Sequence, residues 1–121
     1  MPERKKLFLK VLKAELEDCL EDVEDLANLY ERRHNGDEVS NYVFNENSAL
    51  LTRELSGLRN VIVSLDTVLL DSYDSVESLA ASVDAIIQKK VLDYEDPQAV
   101  YSIAKRELLK VLKYISDRPC E

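Results

Sequence analysis

Turn-forming residues are nearly missing from this chain: 121 residues include only 2 glycines and 3 prolines. That excludes a fold of many short strands and leaves few, long elements. Histidine is almost absent too, with His34 the only one. Closed zinc or iron sites need several nitrogen or sulfur ligands, so this scarcity argues against one. Cysteine is limited to Cys19 and Cys120. If the first and last helices run antiparallel, Cys120 falls near the start of the first helix and Cys19 about 18 Å or more along it, too far for a disulfide. Long apolar runs are lacking as well. The longest are triplets such as Val61–Val63 and Val68–Leu70, and Lys10 and Lys13 break up the apolar start of the chain. No segment can span a bilayer and no secretory leader is recognisable, so the expected location is cytoplasmic. Basic charge is outweighed: 24 acidic against 16 basic side chains give a net charge of −8. General nucleic-acid binding, which needs clustered Lys and Arg, is disfavoured.

What is present is helical periodicity. Leu9, Leu12, Leu16, Cys19, Val23, Leu26 and Tyr30 recur at alternating intervals of three and four, a heptad seam. Leu51, Leu55, Leu58, Ile62, Leu65 and Leu69 form a second. The chain is therefore expected to be all-α, a single domain folded as an up-down-up-down antiparallel four-helix bundle.

The first helix is expected over about 3–34, stopped by Asn35-Gly36. A longer connection, about 35–47, follows. It carries Val39, Tyr42, Val43 and Phe44, and part of it is expected to pack back as a short helix or an extended arm. The second helix is expected over about 48–72, capped by Asn47 or Ser48. Asp74-x-x-Glu77 resembles a capping box and opens a third helix over about 75–92. Asp96-Pro97 reads as N-cap and first helical residue of a fourth, about 97–117, closed off by Pro119.

Catalytic patterns are weak. Seven carboxylates crowd residues 15–25: Glu15, Glu17, Asp18, Glu21, Asp22, Glu24 and Asp25. On a helical wheel they lie opposite the seam and read as a solvated face. Glu31-x-x-His34 has metal-ligand spacing but no companions, so no metal and no cofactor are expected. All-α nucleotide pyrophosphohydrolases hold Mg²⁺ between Glu-x-x-Glu and Glu-x-x-Asp on two helices. Here Glu21-x-x-Glu24 supplies half of that pattern, while Glu54 and Asp66 on the second helix do not supply the other half. Such an enzyme is the rival reading. A third is a nucleic-acid accessory protein using Lys105, Arg106, Lys110 and Lys113 of the last helix.

Surplus apolar surface is the most suggestive feature. The second helix carries Leu50, Val61 and Val68 on one flank of its seam, and Val63 and Leu70 on the other. Ser56, Asn60, Ser64 and Thr67 make its remaining face small and uncharged. Leu7 and Val11 lie off the first seam, where the 37–47 arm could cover them. Together these residues predict an interface with a second copy or a helical partner. The expected function is thus a small acidic protein–protein interaction module, chaperone-, immunity- or adaptor-like and non-catalytic, with self-association through the second helix.

Overall fold

A computed structural model describes residues 2–36 and 40–117, and within these the chain forms four α-helices and no strand. They are α1 (Pro2–Asn35), α2 (Asn41–Leu65), α3 (Val76–Asp93) and α4 (Gln98–Ser116). The helix contacts are those of a bundle, as the two seams predict. Ion pairs give the directions. Lys13 meets Asp66 at 2.9 Å and Glu24 meets Arg59 at 3.0 Å, so α1 and α2 run antiparallel. Lys110 meets Glu15 at 3.0 Å, and Val11 shares a groove with Val111 and Tyr114, which sets α4 antiparallel to α1. Val39, Pro119 and Cys120 lie outside the described residues.

The core is built from Phe8, Leu12 and Leu16 of α1, Leu58, Val61, Ile62 and Leu65 of α2, Leu79, Val83 and Ile87 of α3, and Val100, Ala104, Leu108, Val111 and Ile115 of α4. Each set repeats at three or four residues, as one buried stripe per helix requires.

The second helix sits seven residues earlier than its expected 48–72. Ser40, not Asn47 or Ser48, caps it by accepting a hydrogen bond from the Val43 amide at 3.3 Å. Residues 41–47 are therefore the first two turns of α2 rather than an arm. Asn41, Asn45 and Asn47 have low intrinsic helix propensity, which hides the helix from a propensity reading. Packing overrides it: the Phe44 ring stacks on His34 of α1, centroids 4.2 Å apart. At its other end α2 stops at Leu65. The Thr67 hydroxyl donates to the Ser64 carbonyl at 2.8 Å, and a 3-10 turn follows at Leu70–Ser72. Lys5 secures this connection. Its ammonium is buried and donates to the carbonyls of Leu70 at 2.9 Å and Tyr73 at 2.6 Å.

Two caps also differ from expectation. Ser75 caps α3 in a reciprocal box with Ser78, one residue beyond Asp74 and Glu77. Asp96 does not cap α4. The α3–α4 turn is closed by a Schellman pair, Asp96 N–H to Val91 O at 3.0 Å and Glu95 N–H to Leu92 O at 3.2 Å, with Glu95 left-handed at φ 52°. The Asp96 side chain turns instead onto Gly57 of α2. A Cβ at Gly57 would stand 2.8 Å from Val100 Cγ2 and 3.0 Å from Asp96 Cγ, so this close approach requires glycine.

Candidate functional site

The helices differ greatly in length, and the site follows from that. α1 has 34 residues and α2 25, against 18 for α3 and 19 for α4. Arg53 Nη2 donates to the Glu95 carbonyl at 2.8 Å, which fixes the α3–α4 turn at the level of Arg53. The residues of α2 before Arg53 continue about 18 Å past that turn, at 1.5 Å per residue. Among the described residues, His34 near the end of α1 bonds to Asn41 and stacks on Phe44 there. Burial thins towards the tip on both helices. The last buried residue of α1 is Leu16, and the first of α2 is Leu51.

Eighteen residues make about five helical turns, so residues that far apart point the same way. Phe8 is fully buried, yet Leu26, eighteen residues on, is 43% exposed. Val61 is fully buried, yet Val43, eighteen residues before it, is 41% exposed. Leu50, seven residues before Gly57, is 45% exposed. These three side chains repeat directions that are buried nearer the four-helix end; Leu26 lies about level with the α3–α4 turn, and Leu50 and Val43 lie beyond it. Beside the hairpin tip there is no third or fourth helix among the described residues, so an apolar face stands open.

The expected interface residues fall into three groups. Leu50 belongs to the open face. Ser56, Asn60, Val63 and Thr67 follow the outer side of α2 and its end; Asn60, Val63, Ser64 and Thr67 line a groove of about 180 Å³ with Lys90 and Tyr94 of α3. Of Ser56, Asn60, Val63 and Thr67, only Asn60 is partly buried. The rest require correction. Val61 is core. Ser64 is buried, its hydroxyl donating to the Val61 carbonyl at 2.6 Å. Val68 and Leu70 lie beyond α2 and pack against the core, as do Leu7 and Val11 of α1. Val11 is covered by α4, where it shares a groove with Val111 and Tyr114, not by an arm. The apolar arc looked too wide because part of it belongs to the connection after the helix. Leu26 and Val43 were missed. Leu26 sat on a seam assumed to be covered throughout, and Val43 in a connection expected to pack back as a short helix or an extended arm.

Several charges are engaged in ion pairs between and along the helices. Glu15 pairs with Lys110 and Glu24 with Arg59; the other five carboxylates of the 15–25 run are exposed. On α4, Lys105 meets Asp84 at 3.1 Å, and Arg106 and Lys110 meet Glu107 at 3.3 and 3.2 Å. Burial opposes ionisation of Glu107, but Lys110 and Arg106 outweigh it and hold the carboxyl below its ordinary range. Cys19 is half-buried, and burial pushes its thiol upward, away from the reactive thiolate. His34 bonds to Asn41 and stacks on Phe44, holding the tip together. No three His, Cys, Asp or Glu side chains converge as a metal-binding group among the described residues. No helix is long and apolar enough to cross a membrane. Comparison with protein families, with curated proteins and with solved structures returns no significant match.

Proposed function

We propose that the protein is a non-catalytic protein–protein interaction module, cytoplasmic and acidic, that docks through the open face of the α1–α2 hairpin. One observation carries the reading: Leu26 and Val43 repeat the directions of buried Phe8 and Val61, yet stand more than 40% exposed. Scattered surface aliphatic side chains need no explanation, but Leu26, Val43 and Leu50 on the interrupted faces of one hairpin do. The occupant such a face favours is helical, because a continuing seam is completed by side chains at heptad spacing.

The rivals draw less support. A Mg²⁺-dependent nucleotide hydrolase needs carboxylates turned inward from two helices. Glu15 and Glu24 are instead spent on interhelical ion pairs, and the neighbouring acids face solvent. A nucleic-acid surface on α4 needs uncommitted cations, whereas Lys105, Arg106 and Lys110 each have a carboxylate partner.

Site-specific photocrosslinking in the native cell tests the reading. A photoreactive residue replacing Leu50 should give discrete protein adducts, and one replacing exposed Glu17 should not. Equal adducts from both positions, or none from position 50, refute it. A melting temperature raised by millimolar Mg²⁺ would favour the hydrolase, since a ligand of the folded state must stabilise it.

A further inference from the structure

We infer that the α3–α4 turn is an acid-closed clasp: a neutral Asp96 carboxyl lets it shut on α2, and an ionised one opens it while the rest of the bundle stays folded. The turn is the stretch between Asp93, the last residue of α3, and Gln98, the first of α4. The clasp is a property of the chain alone and does not depend on what docks at the hairpin tip.

The closed turn is held onto α2 by the Arg53 hydrogen bond to the Glu95 carbonyl, 2.8 Å long. Several features work against that hold. Glu95 is left-handed at φ 52°, a conformation that costs free energy for any residue with a Cβ. Asp96 Oδ2 is buried without a hydrogen-bond partner. The same carboxyl group lies so close to Gly57 that not even a methyl group fits between them. The start of α4 has no side-chain cap, whereas Ser40 caps α2 and Ser75 caps α3. A segment with one external hold and these costs belongs to the low end of local stability.

The charged groups on the surrounding elements leave Asp96 poorly compensated. Arg53 of α2 favours its ionised form, but burial outweighs that and favours the neutral one. Also on α2, Arg59 is paired with Glu24, and Glu54 has the same sign as Asp96. At the end of α3, Lys89 pairs with Asp93, and the Lys90 ammonium lies over the Tyr94 ring. Glu95 of the turn again has the same sign as Asp96, and the first turn of α4 has no acidic residue.

The two states of the turn therefore differ in proton affinity. Opening returns the carboxyl to water, where it ionises in its ordinary range; the closed turn holds the proton more tightly, so acid favours closure. Opening grows as pH rises between those two values and levels off above them. It bares Gly57 and Val100, both buried in the closed turn. Gly57 lies two helical turns inward from Leu50, so an open clasp lengthens the open face of the hairpin. That last consequence rests on the open face being the contact surface; the clasp does not.

Amide hydrogen exchange of the full chain, followed by nuclear magnetic resonance from about pH 4 to about pH 7, tests this across the range of a raised carboxyl. The Glu95 and Asp96 amides, bonded to the Leu92 and Val91 carbonyls, report the closed turn. Corrected for intrinsic exchange, their protection should be at least about fivefold higher at the acid end, the scale on which an unpartnered buried group destabilises. At neutral pH they should be at least about tenfold less protected than the core amides of Leu58 and Val83, because the turn opens alone. Asp96→Asn keeps the shape and removes the charge, which also separates this titration from those of Glu54, Asp93 and Glu95. In that variant the turn amides should keep their acid-end protection at neutral pH. Arg53→Met should lower turn protection at every pH by about threefold or more, since it removes the hold. Turn amides as well protected as the core at neutral pH would mean that the turn opens only when the whole protein unfolds, and would overturn the clasp. So would turn protection indifferent to pH in the wild type, a pH dependence that survives in Asp96→Asn, or turn protection unchanged in Arg53→Met.

Discussion

At one end of this molecule α1 and α2 share four-helix surroundings with α3 and α4; at the other they run on as a bare pair. The same two seams serve both ends. Phe8 and Leu26 sit five turns apart on one face of one helix, as do Val61 and Val43. What separates them is the cover, and the cover depends on how far α3 and α4 reach. A heptad seam therefore specifies a direction of burial but not its extent. The boundary is a built feature. Gly57 lets the start of α4 approach α2 closely, Arg53 holds the turn, and Asp96 fills the corner between them.

The largest expected effect sharpens this contrast. Phe8→Ala should destabilise the protein by about 3–5 kcal/mol, the cost of a large cavity in a closed core. Leu26→Ala, on the same face, should cost less than about 1 kcal/mol because solvent already reaches it. Chemical denaturation of the two variants measures both. Equal costs would mean the tip is covered in solution as well, which measurement at high dilution would then relieve if the cover is a second copy.

Next comes the step itself. Gly57→Ala gains helix propensity, about 1 kcal/mol, but its Cβ meets β-branched Val100, which is stiff about χ1. Overpacking costs about 1–3 kcal/mol, so net destabilisation of about 1 kcal/mol is expected. A gain in melting temperature would mean that α4 can withdraw from α2, and that the two ends are not so sharply divided.

The smallest effect concerns pH. Burial raises the Asp96 carboxyl above its ordinary range, and the positive charge of Arg53 only partly offsets that. Its Oδ2 is buried without a hydrogen-bond partner. The carboxyl ionises more readily unfolded than folded, so ionisation favours unfolding. The penalty is full above the folded pKa and vanishes as pH falls below the unfolded one. Asp96→Asn should therefore raise the melting temperature at neutral pH, with the advantage fading in mild acid. Thermal melts of both proteins across that range check it; an advantage that grows on acidification would reverse the sign.

Much of the fold was legible in the sequence, and for a physical reason. Four helices follow from apolar spacing, and spacing is what drives their packing. Boundaries were less legible. A shift of one heptad leaves the pattern unchanged, so Leu69 could be read as seam although it lies beyond α2 and is exposed. Ser40 and Ser48 are equally good caps in isolation, and only the stacking of Phe44 on His34 decides between them. The interface residues were legible in kind rather than in place. Leu50 was found, while Val61 and Ser64 turned out to be buried, because a wheel drawn for one helix cannot tell where its neighbours end.

The Lys5 clamp and the Glu15–Lys110 pair carry a consequence for how the protein is made. Chains emerge from the ribosome N-terminus first, so α1 and α2 are complete while α4 is still unsynthesised. Lys5 must wait for carbonyls more than sixty residues downstream, and Glu15 for a lysine 95 residues away. Until those arrive, the whole hairpin presents the bare apolar face that the finished protein retains only at its tip. The tip preserves in the mature molecule what is elsewhere a passing stage of its synthesis. Whatever closes over it completes, from outside the chain, the step that α3 and α4 perform at the opposite end.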